Sequence, residues 1–209
     1  MNGSKRTSLI VEPADGRIPY IATEEERKKS RRPAGFDSVK DRPISERCLH
    51  SPFAGPPFYN QFDDFAGYLI VQTPETVMIL AEYLHEVRTV RIGGQHTSPR
   101  VRRWLGDSIG HWEGDTLVVD TTNFTAQANF RGASENLHVV ERFQAIDGNT
   151  ILYRATVEDP SVFSRPWVIE YPFRRGAGPI YEYACHEGNY SLPSILKGAR
   201  KAEAESAKP

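Results

Sequence analysis

Side chains able to exchange protons with a small molecule lie in residues 136–143, a run whose alternation is typical of a β-strand. Because successive side chains of a strand point to opposite faces, Glu141 shares one face with apolar neighbours, and His138 shares the other with Arg142. The hairpin that follows favours Glu141 as the inward residue, and the alternative is that His138 and Arg142 face inward. A buried Glu141 would need a partner, because an unpaired charge in an apolar interior is very costly.

Two further residues could act with this pair in general acid–base chemistry. Asp120 belongs to the alternating run 116–122, and Tyr183 belongs to a later polar run. In a shared interior, a Glu or His could take a proton from a substrate while a Tyr donates one to a developing oxyanion. The predicted catalytic residues are therefore His138, Glu141, Asp120 and Tyr183. The alternative is that each is a satisfied polar group of a sheet.

Aromatic, basic and imidazole side chains near these runs could line a pocket and bind a substrate. The predicted substrate-binding residues are Trp112, Arg131, Arg142, Tyr153, Trp167 and His186. Metal-ligand types occur at His111, Glu113 and Cys185, but no spacing matches a closed zinc site. The chain also has no P-loop, G-x-S-x-G or G-x-G-x-x-G motif, so we predict no metal and no cofactor.

About nine alternating runs with short, turn-rich connections predict an all-β fold with minor α content. The runs are 68–73, 77–84, 86–92, 109–113, 116–122, 136–145, 150–158, 167–173 and 180–186. The Asp147-Gly148-Asn149 turn between two of them is the strongest hairpin signal. No βαβ pattern is present, so we predict an antiparallel, lipocalin-like up-and-down β-barrel, because closure removes exposed edges. A barrel of about eight strands encloses room for one small ligand.

Breaks in this pattern divide the chain into three segments. Residues 1–66 are predicted to form an extended N-terminal arm with a potential edge strand at 9–11, then a short helix after Thr23 and an aromatic-rich wrapping segment. Residues 67–190 are predicted to form the barrel domain. Residues 191–209 are predicted to form a C-terminal helix that ends in a mobile tail.

Charge and hydropathy limit the partners of this 209-residue chain. Its 26 basic and 27 acidic residues leave a formal charge of −1, so no net field would recruit nucleic acid or an anionic membrane. No apolar run is long enough to span a bilayer. The first residues do not form a signal peptide, which predicts either a cytoplasmic protein or a mature form without its leader. The two cysteines, Cys48 and Cys185, could form a disulfide or stay as free thiols.

Three motifs carry a resemblance that covers nearly the whole chain: GHWEGDTLVVDTTNF, then ENLHVVERF, then TVEDP followed by RPW. In this order they resemble a widespread group of exported bacterial proteins, as do SLIVEPADGRIP and VQTPETVMIL. The resemblance implies architecture and a periplasmic or secreted location, and with it a Cys48–Cys185 disulfide, but no activity. The matching positions are Trp112, Glu113, Asp115, Asp120, His138, Glu141, Arg142 and Asp159. Of these, Asp115 and Asp159 lie at turns, which favours a structural role.

Three functions fit these observations. The first is a cofactor-independent acid–base enzyme, a lyase or isomerase that acts on a small organic molecule in the barrel pocket. The second is a non-catalytic, lipocalin-like carrier of an apolar ligand. The third is an envelope interaction module with a filled core. The predicted partner is thus a small molecule and not a nucleic acid, and assembly into a homo-oligomer is left open.

Overall fold

The computed structural model describes residues 6–30, 35–51, 54–59, 67–128 and 130–207. Among these described residues, nine β-strands form one sheet, which confirms the prediction of a mostly β protein. The strands are β1 (Ile10–Glu12), β2 (Tyr68–Gln72), β3 (Thr76–Ala81), β4 (Val87–Ile92), β5 (Asp107–Glu113), β6 (Thr116–Thr122), β7 (His138–Asp147), β8 (Thr150–Glu158) and β9 (Trp167–Arg174). The α-helices in the described parts of the chain are α1 (Glu24–Ser30) and α2 (Ser191–Ser206). Short 3-10 turns occupy Val39–Asp41, Tyr83–His85 and Phe130–Gly132.

The strand order is β1-β9-β8-β7-β6-β5-β4-β3-β2, and one pair departs from a simple meander. All neighbours are antiparallel except β4 and β5, which run parallel with Val90 opposite Ser108. A parallel pair cannot be joined by a tight hairpin, so the connection across residues 93–106 has to return to the starting end of β4. The predicted up-and-down meander is therefore wrong at this connection.

The sheet is strongly curled, but its two edge strands are not paired with each other. Among the described residues, no hydrogen-bonded pair joins β1 to β2. The curl is nevertheless large, because Tyr68 of β2 stacks on Phe173 of β9 with ring centroids 5.7 Å apart. These residues come from nearly opposite ends of the strand order. Hydrogen-bonded closure into a barrel is not observed in the part of the chain that the structure describes.

The segment 54–59 supplies the centre of the core. Phe58 is buried, and its ring contacts Tyr68 and Phe173 at centroid distances of 4.6 and 5.9 Å. Its backbone is also bound, because its amide donates to the Tyr153 hydroxyl at 2.9 Å and its carbonyl accepts from the Tyr171 hydroxyl at 2.7 Å. Burial of such a side chain contributes about 1.5–3 kcal/mol to folding. The aromatic-rich stretch thus fills the concave face of the sheet at this point.

The predicted strand at 180–186 is wrong. This stretch forms no strand, and two of its backbone amides bind side chains. The amide of Tyr181 donates to Glu82 Oε1 at 3.0 Å, and that of Tyr183 donates to His85 Nδ1 at 3.1 Å. The ninth strand is the edge strand β1, which pairs with β9.

Both helices and the disulfide follow their predictions. Before α1, Thr23 and Glu26 form a reciprocal capping box, in which the Thr23 amide donates to Glu26 Oε2 at 2.8 Å and the Glu26 amide to Thr23 Oγ1 at 3.3 Å. Cys48 and Cys185 form a disulfide with their Cα atoms 5.8 Å apart, and this bond ties the 42–51 region to the segment that precedes α2. None of the described helices is long and apolar enough to cross a membrane.

Candidate functional site

The outer face of the sheet brings together two of the predicted catalytic residues. Asp120 of β6 and His138 of β7 lie diagonally across adjacent strands, since Asp120 is directly opposite Val140. His138 Nε2 is 3.1 Å from Asp120 Oδ2. On the other side, His138 is directly opposite Glu158 of β8, and its Nδ1 is 3.8 Å from Glu158 Oε2. The period-two pattern places all three side chains on one face.

Two further residues extend this arrangement, and the sequence did not single them out together. His96 lies in the long connection between β4 and β5, where no strand periodicity assigns it a face. It bridges two carboxylates, because its Nδ1 is 3.1 Å from Asp107 Oδ2 and its Nε2 is 3.0 Å from Asp120 Oδ1. We call the set His96, Asp107, Asp120, His138 and Glu158 the outer His–Asp cluster.

Hydrogen bonds and charges shift the pKa values of three groups in this cluster. The hydrogen bond to Asp120 is the main cause of a raised pKa at His138, and the negative charge of Asp120 acts in the same direction. The same bond lowers the pKa of Asp120. Burial acts to raise the pKa of Asp107, but hydrogen bonds from the Thr97 amide and His96 outweigh it, so that pKa also lies below its ordinary value. The lowered pKa values keep Asp107 and Asp120 ionised, and the charge of Asp120 favours a protonated His138.

Accessibility differs along the cluster. Asp107 is buried, and Arg91 binds both of its oxygens at 3.0 and 3.1 Å, so Asp107 anchors the end of the cluster. The His138 side chain is 34% exposed and that of Glu158 is 43% exposed. These two side chains are therefore partly open to solvent.

A second polar group lies in the interior. Glu141 is fully buried and forms an ion pair with Arg88 of β4, which we call the inner ion pair. The Tyr153 hydroxyl donates to Glu141 Oε1 at 2.9 Å. Arg88 also donates to Ser108 Oγ at 3.0 Å and to Thr121 Oγ1 at 2.8 Å. Glu141, which was expected to need a partner if buried, therefore has two, Arg88 and Tyr153.

The inner ion pair is surrounded by packed side chains. The guanidinium of Arg88 lies 5.9 Å from the centroid of the Phe58 ring. Burial, followed by the charge of Glu141, raises the pKa of Tyr153 well above its ordinary value, so this hydroxyl stays protonated and acts as a donor. One nitrogen of Arg88, Nη1, is buried and has no hydrogen-bond partner among the described residues. Arg88 was missed because its strand was recognised only by its apolar alternation.

The predicted catalytic set does not meet in one place. Glu141 faces the interior, whereas Asp120 and His138 face outward, because residues of opposite parity on β6 and β7 lie on opposite faces. Tyr183 lies in the irregular segment after β9 and packs against Tyr83 at a centroid distance of 4.7 Å. The tyrosine that meets Glu141 is Tyr153, which was predicted to bind substrate.

The remaining predicted substrate-binding residues are also dispersed. Trp112 is 45% exposed near the β5–β6 turn, and Arg142 forms an exposed ion pair with Glu113 at 2.7 Å. The guanidinium of Arg131 lies 4.8 Å from the centroid of the Tyr59 ring. Trp167 is buried in the core, and its indole N–H has no partner in the described parts of the chain. His186 is exposed.

Among the described residues, no group of three or more His, Cys, Asp or Glu side chains is arranged so that it could hold a metal ion. Comparisons of this chain with protein-family models, with curated proteins and with solved structures each found no match. The resemblance to exported bacterial proteins therefore stays a prediction. The chemistry of the outer His–Asp cluster is the main guide to function.

Proposed function

We propose that this protein is a cofactor-independent acid–base enzyme, a lyase or isomerase, whose proton-transferring group is His138. The observation that carries the proposal is the His138–Asp120 hydrogen bond at a position where the imidazole is open to solvent. The raised pKa of His138 favours the imidazolium, which is the form a general acid requires. Asp120 orients the ring, and His96 in turn orients Asp120.

Glu158 supplies the second group that such a reaction needs. Its carboxylate lies 3.8 Å from His138 Nδ1, so one small substrate can contact both groups. In an elimination, Glu158 takes the proton from a carbon next to a carbonyl, and His138 gives its Nδ1 proton to the departing β-hydroxyl, which leaves as water. In an isomerisation of an α-hydroxy carbonyl, Glu158 takes the proton from the hydroxyl-bearing carbon while His138 protonates the carbonyl oxygen, which gives an enediol. His138 then takes the proton of the other hydroxyl, which becomes the new carbonyl, and Glu158 returns its proton to the former carbonyl carbon. Both sequences balance without a cofactor.

The proposal extends to architecture and location. We infer a lipocalin-like body, a curled sheet that approaches closure, and the Tyr68–Phe173 contact supports this inference. We also infer a periplasmic or secreted protein, because disulfides such as Cys48–Cys185 persist in oxidising compartments.

The second candidate function is a non-catalytic ligand carrier. Nη1 of the buried Arg88 favours it, because this nitrogen has no hydrogen-bond partner among the described residues and could donate to a ligand carbonyl. Phe58 opposes it, because its ring occupies the space beside the inner ion pair. The outer face is therefore the better supported site for small-molecule chemistry.

The test is proton exchange in D₂O, followed by ¹H NMR on a panel of small β-hydroxy carbonyl and α-hydroxy carbonyl compounds. The wild-type protein is expected to eliminate water from one panel member or to exchange its C–H proton. His138→Gln and Glu158→Gln are each expected to slow that reaction by about 10²–10⁴-fold. His111→Gln is the matched control, because His111 is an exposed histidine paired with Glu113 on the same face.

Two results would contradict the proposal. One is a His138→Gln protein that retains wild-type turnover. The other is an equal loss in the His111→Gln control, which would indicate a general effect on the sheet.

A further inference from the structure

A cleft with an uneven charge opens at the junction between the N-terminal arm and the body. It has a volume of about 560 Å³ and lies between residues 13–22, helix α1 and the turn at 164–165. None of its lining residues belongs to the outer His–Asp cluster. A space of this size accommodates a small organic molecule.

The walls of the cleft are held in place by contacts between the arm and the body. The amide and the hydroxyl of Ser164 both donate to the carbonyl of Pro19, at 2.8 and 3.1 Å. The amide of Ile21 donates to the carbonyl of Val162 at 2.9 Å. Hydrogen bonds between the arm and the body therefore hold the walls of the cleft in place.

Positive charge dominates the lining. Among the described residues that line the cleft are three arginines, Arg17, Arg27 and Arg165, and one carboxylate, Asp15, so this lining carries a formal excess of two positive charges. Asp15 Oδ1 already accepts from the Arg17 amide at 3.1 Å, so this carboxylate is engaged in its own turn. Three guanidinium groups around one cleft attract an oxyanion, because each presents a planar set of N–H donors that matches a carboxylate or phosphate group.

One of these arginines is oriented in advance. The guanidinium of Arg27 lies 3.8 Å from the centroid of the Tyr20 ring, which is cation–π stacking. The Tyr20 ring is itself held in place, because its hydroxyl donates to the Arg131 carbonyl at 3.1 Å and the ring packs against Phe163 at a centroid distance of 5.5 Å. A stacked guanidinium presents its edge to a ligand and loses little side-chain entropy on binding.

We propose that this arm cleft binds a small organic polyanion, a molecule that carries at least two carboxylate or phosphate groups. Two negative charges match the excess of the lining, and Ile18, Pro13 and Pro19 offer apolar contact to a carbon skeleton. The site is independent of the proposed reaction at His138. The bound polyanion would then be a second small-molecule ligand of the protein, or a regulator of it.

The test is isothermal titration of the full chain at low ionic strength with citrate and, separately, with inorganic pyrophosphate. Binding of citrate alone assigns the site to carboxylates, and binding of pyrophosphate alone assigns it to phosphates. Arg27→Gln and Arg165→Gln are each expected to weaken binding by about tenfold or more, because each removes a charge-assisted hydrogen bond. Arg175→Gln is the control, since Arg175 is exposed and lies outside the cleft.

His138→Gln is expected to bind the same probe as tightly as wild type, which separates this site from the catalytic proposal. Arg165 is exposed, so Arg165→Gln keeps the test valid even if Arg27→Gln disturbs the arm. The proposal is overturned if neither probe binds. It is also overturned if Arg175→Gln weakens binding as much as the cleft variants do, or if both cleft variants bind like wild type.

Discussion

Phe58 and Tyr153 are 95 residues apart in the chain and are joined by a buried hydrogen bond of 2.9 Å from the Phe58 amide to the Tyr153 hydroxyl. The same hydroxyl donates to Glu141 at 2.9 Å. One phenol oxygen therefore connects the segment that fills the concave face to the inner ion pair. Because of this connection, the inner ion pair is part of the packed core.

Removal of that hydroxyl tests the connection. Tyr153→Phe leaves the Phe58 amide and one Glu141 oxygen without a partner in a buried site, so we expect a loss of about 2–3 kcal/mol in the free energy of unfolding. Urea denaturation measures it. Tyr181→Phe is the control, because Tyr181 is exposed, and its change should be near zero. An equally small change for Tyr153→Phe would contradict the role given to the hydroxyl.

Truncation of Phe58 tests its place in the core. Phe58→Ala opens a cavity among Tyr68, Phe143 and Phe173, and we expect destabilisation by about 3–5 kcal/mol. The matched change is Phe36→Ala, since Phe36 is exposed. Thermal and urea unfolding of both variants give the comparison. Similar stabilities for the two variants would mean that Phe58 is not central to packing.

We expect the loss of one member of the inner ion pair to destabilise the protein more than the replacement of both members by apolar residues. Glu141→Gln leaves the buried Arg88 charge uncompensated, and we expect destabilisation by about 3–5 kcal/mol. The double variant Arg88→Met with Glu141→Leu removes both charges and should recover much of that loss. Glu113→Gln breaks the exposed Arg142 pair and should leave the free energy of unfolding nearly unchanged. A double variant less stable than Glu141→Gln would contradict this prediction.

The His138–Asp120 bond predicts a specific pH dependence. The folded pKa of His138 is raised above 6.5, so its contribution to stability is fully present below the unfolded pKa and is lost as pH rises through the folded pKa. The stability difference between wild type and His138→Gln should therefore shrink above neutral pH. NMR titration of the His138 ring should also show a lower pKa in Asp120→Asn. An unchanged His138 pKa in that variant would contradict the assignment.

Asp120 acts in the opposite pH window. Its folded pKa is lowered below 3.8, so its contribution is present above the unfolded pKa and is lost as pH falls through the folded pKa. The pair is thus expected to stabilise the fold most between these two windows. The midpoint of urea unfolding, measured from pH 3 to pH 9, should therefore fall towards both ends of this range.

Reduction of the disulfide should destabilise the protein. The two cysteines are 137 positions apart, and a closed loop of that length gives about 5 kcal/mol in the chain-entropy treatment. Urea midpoints with and without dithiothreitol measure the change, and Cys48→Ser with Cys185→Ser should reproduce it. Equal midpoints under both conditions would contradict a stabilising role.

Local pattern was sufficient for several parts of the fold and of the candidate site. The alternation in β6 placed Asp120 on the opposite face from the inward residues of that strand. The alternation in β7 and β8 placed Glu141 on the opposite face from His138. Thr23, as a residue that can cap a helix, predicted the start of α1. In each case the determining interaction spans only a few residues, so the sequence contains it directly.

Other features depend on how distant segments meet. The partner of Glu141 is Arg88, 53 residues away, and the link between Asp107 and Asp120 is His96, which lies in a connection without periodicity. The run at 180–186 alternates like a strand, yet its amides bind Glu82 and His85 and it joins no sheet. Composition and spacing therefore determined a β-rich chain with defined strand faces. The parallel β4–β5 pair, the filling of the concave face by Phe58 and the outer His–Asp cluster were decided only by tertiary structure, because long-range contacts follow from the paths of the connections.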